Sequence, residues 1–182
     1  LAWELKKLGI EVSVVDTANP ESSSRVAAGM ITPITGRRLK PTWRGHELTQ
    51  IARTTYAEIE QEFGISLWSD WTLKRVFREE IMREWFHDRR EKHEYDPIIV
   101  TDIEPGVHDG VTYPFGGFEH GSVATVDIPN LLNTVGQSLA QQKDVRGTVH
   151  APDVTITCTG YQTLHDPLWS WLPIEPSKGE IL

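Results

Sequence analysis

Apolar positions along the chain follow two rhythms, short alternating runs and a spacing of three and four residues. Val12, Val14 and Val15 form a β-branched run of the kind a parallel strand covered on both faces uses, and Asp16 ends it. Leu1, Leu5 and Leu8 share one helical face and stop at Gly9, so the chain is expected to open on the end of a helix. Leu48, Ile51, Ala52, Tyr56, Ile59 and Phe63 predict an amphipathic helix from Gly45 to Phe63, closed by Gly64. Trp68 to Phe77 has strand composition, with Trp71, Leu73 and Arg75 on one face. Glu79 to Tyr95 surrounds Ile81, Met82, Trp85 and Phe86 with charges of both signs, as in a surface helix.

The second half reads more like a sheet. After the apolar run Pro97 to Ile103, Val111 to Phe118 and Gly121 to Asp127 predict strands separated by glycine-rich turns. Pro129 then opens a helix carrying Leu131, Leu132, Val135 and Leu139. Val154 to Cys158 is a second parallel-type strand, ended by Thr159 and Gly160. The two strands ending in Asp16 and Gly160 are expected in one sheet, giving an α/β protein interrupted by a β-rich insertion.

Composition narrows the function. The 38% hydrophobic content is globular, and 182 residues suffice for one substantial core or two small domains. A net charge of −8 argues against a nucleic-acid partner, because phosphate-backbone binding relies on clustered Lys and Arg. The single Cys158 excludes an internal disulfide and a cysteine zinc cluster, and its apolar run predicts a buried, inert thiol. His87 and His93 have no partner at metal-ligand spacing, so no metal is expected. No apolar stretch approaches the roughly 20 residues of a membrane span, and no membrane partner is expected; the protein is placed in the cytoplasm. Seven tryptophans are many for this length, and Trp68, Trp71 and Trp85 are expected to pack a small domain.

Candidate chemistry gathers between Glu11 and Pro33. A carboxylate at the tip of a second Rossmann strand accepts hydrogen bonds from the ribose hydroxyls of a dinucleotide, although Asp also suits turns. After Asp16 comes Ser22-Ser23-Ser24-Arg25-Val26-Ala27-Ala28-Gly29-Met30, hydroxyls followed by side chains of minimal bulk that let backbone amides approach a ligand. Further on, Arg37 and Arg38 lie in the most basic piece of an acidic chain, either solvated or meeting an anion.

In this strand and loop the sequence resembles the FAD-dependent oxidoreductases of the D-amino-acid oxidase type, including glycine and sarcosine oxidases. The resemblance implies a partial Rossmann-like FAD-binding domain with an inserted β-rich α+β substrate domain. It implies FAD as cofactor, with Asp16 and Thr17 toward the ribose and Ser23, Ser24, Arg25, Ala27, Ala28, Gly29 and Met30 along the pyrophosphate and flavin. Thr159 and Gly160 also approach the cofactor in this scheme. The FAD-binding domain would comprise 1–40 and 131–172, the substrate domain 41–130 and 173–182. The implied reaction oxidises a C–N bond of a small-molecule amine or amino acid; catalytic residues are not assigned.

Two departures qualify the resemblance. No strand and GxGxxG turn precede Leu1, which is expected if the chain begins inside its first βαβ unit, and Lys178 to Leu182 is expected to stop in mid-strand. The connection from Gln142 to the strand at Val154 is shorter than in the family. Asp16 would serve an NAD-dependent dehydrogenase equally well, and the missing glycine turn would also suit a non-enzymatic scaffold with a degenerate Rossmann half.

Overall fold

The structure, a computed structural model, describes residues 1–16, 19–96, 98, 100–142 and 152–175. Thr17, the connection at 143–151 and the terminal run 176–182 lie outside these residues. The fold is mixed α/β. In chain order its elements are α1 (Ala2–Lys7), β1 (Ser13–Val15), β2 (Met30–Ile31), β3 (Ile34–Thr35), β4 (Lys40–Pro41), α2 (Gly45–Phe63) and β5 (Trp68–Val76). There follow α3 (Glu80–Glu91), β6 (Val100–Ile103), β7 (Gly106–His108), β8 (Val111–Tyr113), β9 (Gly117–Val126), α4 (Ile128–Ser138), β10 (Ala140–Gln142) and a 3-10 helix at Gly160–His165. Among the described residues no helix is long and apolar enough to cross a membrane.

The chain divides into two compact units, one of Leu1–Asn19 with Leu139–Leu182, the other Pro20–Ser138. Residues 20–40, grouped in the sequence with the first domain, thus cluster with the second unit.

In the first unit β1 pairs in parallel with β10, Ser13 opposite Ala140 and Val15 opposite Gln142. This corrects the expectation for Val154 to Cys158, which forms no strand; Val154 is 75% exposed and Cys158 is exposed rather than buried. Strand propensity describes fit to a packed, pleated surface, and the place beside β1 is taken by Ala140–Gln142. Nor is β1 covered on both faces: Val12 and Val14 are half-buried while Val15 is exposed. In α1 the buried residue is Trp3, while Leu1 and Leu8 face solvent. In so short a helix the indole has the most apolar surface to remove from water.

The second unit is built on β9, which is one ten-residue strand where two were expected. Gly121 does not turn the chain. His120 pairs with Leu73 and Val123 with Trp71, so one extra residue bulges from β9, where Ser122 takes φ +57°. β5 lies antiparallel along one edge of β9; β6 and β2 share the other edge, β6 along its first half and β2 along its second.

The two sheet faces have different fates. Trp68 and Asp70 face α2, where the Tyr56 ring lies 5.9 Å from Trp68 and Arg53 grips the Asp70 carboxylate with both terminal nitrogens. α2 itself runs as its periodicity predicts, and Gly64 caps it at φ +64°. The opposite face carries the core, in which Phe118 of β9 stacks on Phe86 of α3 at 4.5 Å with Phe77 and Tyr95 around them. Ile34 and Leu39, flanking the β3–β4 hairpin turn, are fully buried in the same cluster. α4 starts as predicted, with the Asp127 carboxylate accepting the Asn130 amide at 3.0 Å as an N-cap.

Candidate functional site

Asp16 follows β1 directly and is exposed, at the carboxyl end of a parallel strand pair. That end is where open α/β sheets bind ligands, because successive connections leave a crevice there. Asp16 belongs to the first unit, as do Thr159 and Gly160. The latter two do not end a strand. Gly160 takes φ +59° to start the 3-10 helix, and the Thr159 and Thr163 hydroxyls meet at 3.0 Å. With Tyr161, Gln162, His165 and Asp166, Thr159 lines an open depression of about 520 Å³.

The small-residue loop belongs to the second unit and is held by its sheet. The Ser22 carbonyl accepts the amides of Arg25 at 2.9 Å and Val26 at 3.2 Å, folding the loop into a turn. Ser23, Ser24, Ala27 and Ala28 are exposed on it. Arg25 is half-buried and reaches the side chain of Asn133 on α4 at 3.4 Å. Among the described residues the amides of Ala27, Ala28 and Gly29 donate to no protein acceptor, which leaves a row of donors suited to an anionic ligand.

Gly29 is fixed by the sheet. Its φ is +66°, its carbonyl accepts the Val126 amide at 2.9 Å, and a Cβ there would run into the Val126 carbonyl oxygen. Met30 then enters β2 opposite Thr125 with its side chain 56% exposed.

Two residues that the motifs passed over stand on the same sheet face as Met30. Trp71, counted among the packing tryptophans, is 58% exposed, and its Nε1–H donates to the Thr125 hydroxyl at 2.9 Å. His120 is buried; its Nδ1–H donates to the Gly121 carbonyl at 3.0 Å, while its Nε2 meets no partner among the described residues. Burial pushes its pKa below the ordinary 6.5, the Gly121 bond opposes this, and the nearby Arg75 charge adds to it. The alternation Trp71, Leu73, Arg75 was the signal for the shared face; nothing in the sequence marks the orphaned nitrogen.

One member of the basic pair near the loop is engaged elsewhere. Arg37 bonds both oxygens of Glu79, at 2.6 and 2.7 Å, instead of standing free for an anion. Arg75, desolvated and so lowered in pKa, donates to the carbonyls of Ile34 at 2.8 Å and Gly36 at 3.1 Å. Tyr95 donates to the Leu39 carbonyl at 2.9 Å, and burial pushes its pKa up to about 12. Both tie the β3–β4 hairpin to the core. Among the described residues no group of three or more potential metal ligands gathers.

Residues 1–182 match the family model DAO, FAD dependent oxidoreductase. No curated protein and no solved structure matches the chain.

Proposed function

Because the chain belongs to the DAO family of FAD-dependent oxidoreductases, we propose that the intact protein oxidises a C–N bond of an amino acid or related amine. The membership fixes FAD as cofactor and sets aside the NAD-dependent alternative. The observation that carries the finer reading is the loop Ser23 to Met30, with its exposed hydroxyls, amides that donate to no acceptor among the described residues, and a glycine that admits no Cβ. Its donor set fits a dinucleotide: neutral N–H and O–H groups for a pyrophosphate, the half-buried Arg25 for its charge, and small Ala27 and Ala28 side chains that leave the backbone open.

In this proposal Asp16 accepts hydrogen bonds from the adenosine ribose, and Ser23, Ser24, Arg25, Ala27, Ala28, Gly29 and Met30 line the pyrophosphate and flavin. Thr17 is kept at the ribose, and Thr159 and Gly160 beside the cofactor, on the resemblance to D-amino-acid, glycine and sarcosine oxidases. The division proposed is a Rossmann-like cofactor domain, 1–40 and 131–172, and an inserted substrate domain, 41–130 and 173–182. The β9 sheet would be the substrate domain's floor, and Gly29 with Met30 the seam that ties the cofactor loop to it.

Bound FAD supplies the hydride acceptor for such a reaction. The chain's own part is to hold and orient. Gly29 keeps the loop against β9, and Asn133 steadies the Arg25 guanidinium. The test is product analysis with the full-length holoprotein. Incubation with amino acids and simple amines should yield the carbonyl product of C–N oxidation, trapped as a hydrazone; carbonyl formation from none of them would overturn the amine reading while leaving the family intact.

A further inference from the structure

The sheet face that carries Met30 is closed at one end and open at the other. At the closed end Phe118 and Arg75 lie under α3 and the β3–β4 hairpin, the arginine spent on the carbonyls of Ile34 and Gly36. Next along the face come Leu73 and the buried His120, then Val123 and Trp71, and last Ser69, Thr125 and Met30 in one register row. This last part faces solvent, with two large side chains, Met30 and Trp71, more than half exposed.

An exposed indole in a strand is ordinarily free to choose its rotamer. Here the Trp71 ring is pinned by its N–H to Thr125, and Thr125 is the register partner of Met30. A large apolar surface held in one orientation in water is pre-organised, and a ligand packing on it loses little side-chain entropy. β2 makes the open face continuous with the loop Ser23 to Met30, so the two form one surface.

We propose that this open end is the wall of the amine site on which the substrate's carbon side group packs, with Trp71 as its specificity-determining residue. The inference rests on the FAD-dependent amine reading above. The surface is apolar at Trp71 and Met30 and uncharged at Ser69 and Thr125; the cation on the same sheet face, Arg75, is engaged on the Ile34 and Gly36 carbonyls, and burial disfavours the charged form of His120. Such a wall takes an apolar side group of aromatic or branched-chain size, and its own residues, Ser69, Trp71, Thr125 and Met30, offer no charge to pair with an acidic or basic one.

The experiment uses the full-length holoprotein with methylamine, butylamine and phenylethylamine beside glycine, norvaline and phenylalanine of both hands. Anaerobic flavin reduction is followed at graded concentrations, and FAD affinity is measured separately by flavin fluorescence. Trp71→Ala should weaken the large-side-group members about tenfold, spare methylamine and glycine, and leave FAD affinity unchanged. Trp71→Phe should recover much of the loss. Thr125→Val, which frees the indole, should fall between them, and Trp43→Ala, a change at an exposed tryptophan off the sheet, should change nothing. An unchanged size preference in Trp71→Ala overturns the inference, as does loss of FAD binding, which would make Trp71 a cofactor or structural residue. Absence of reduction by any member in the parent protein overturns the amine reading instead.

Discussion

Gly29 and Val126 lock the candidate cofactor loop to the central strand of its sheet: the Gly29 carbonyl accepts the Val126 amide at 2.9 Å, while the Val126 carbonyl fills the space a side chain at 29 would need. Gly29→Ala therefore meets two penalties, a left-handed φ and a backbone collision. Gly64→Ala meets only the first, since nothing lies within 4 Å of its Cβ position. The second change should cost about 1–2 kcal/mol in urea unfolding. The first should cost more and also weaken FAD binding, because the strand or the loop has to move. Equal costs would show that the seam gives way freely.

His120 should make the second unit acid-sensitive. Above the ordinary value of 6.5 the imidazole is neutral both folded and unfolded. Below it the unfolded chain takes up a proton that the folded protein refuses until its lowered pKa is reached, so stability falls with pH across that window. Arg75 on β5 faces the ring and opposes protonation, whereas Val100, its neighbour on β6, brings no charge. Unfolding measured from about pH 7.5 to about pH 5 should show this decline, and His120→Gln should flatten it. A variant with the same slope would assign the acid sensitivity to other groups.

Tyr95 ties the hairpin to the aromatic core through one hydroxyl. Tyr95→Phe keeps the ring contact with Phe86 but leaves the Leu39 carbonyl without its donor, at a cost of about 1–3 kcal/mol in denaturant unfolding. The same change should remove a late tyrosine titration, near pH 12, from the ultraviolet absorbance. Survival of that late titration would place it on another ring.

Asp16→Ala in the full-length protein should weaken FAD binding about ten- to a hundredfold, the worth of a charge-assisted hydrogen bond to ribose. Asp16→Glu should recover much of it by restoring the carboxylate. Flavin-fluorescence titration reads both. Parent-like affinity in the alanine variant would make Asp16 a turn residue.

Legibility in the sequence followed how far each feature depends on its own residues. α2 was readable because its apolar stripe, Leu48 to Phe63, and the glycine that stops it are local. Val154 to Cys158 misled because a β-branched run announces propensity without naming a partner, and the partner of β1 came from Ala140–Gln142 instead. Gly121 had the look of a turn; antiparallel pairing on both sides of it absorbed the extra residue as a bulge. At the site, small residues from Ala27 to Gly29 announced a close approach, and the structure adds that β9 itself is one of the partners approached. The exposure of Trp71 was beyond sequence, since composition counts an aromatic residue without saying whether anything covers it.

The amine chemistry is tested most directly by anaerobic bleaching of the flavin absorbance in the full-length holoprotein, comparing amino acids and amines with the 2-hydroxy acids and alcohols of matching side groups. The account predicts bleaching by at least one amine or amino acid and none by its hydroxyl counterpart, because the proposed reaction removes a hydride from the carbon bearing nitrogen. Bleaching by the hydroxy compounds alone, or by neither set, would contradict it.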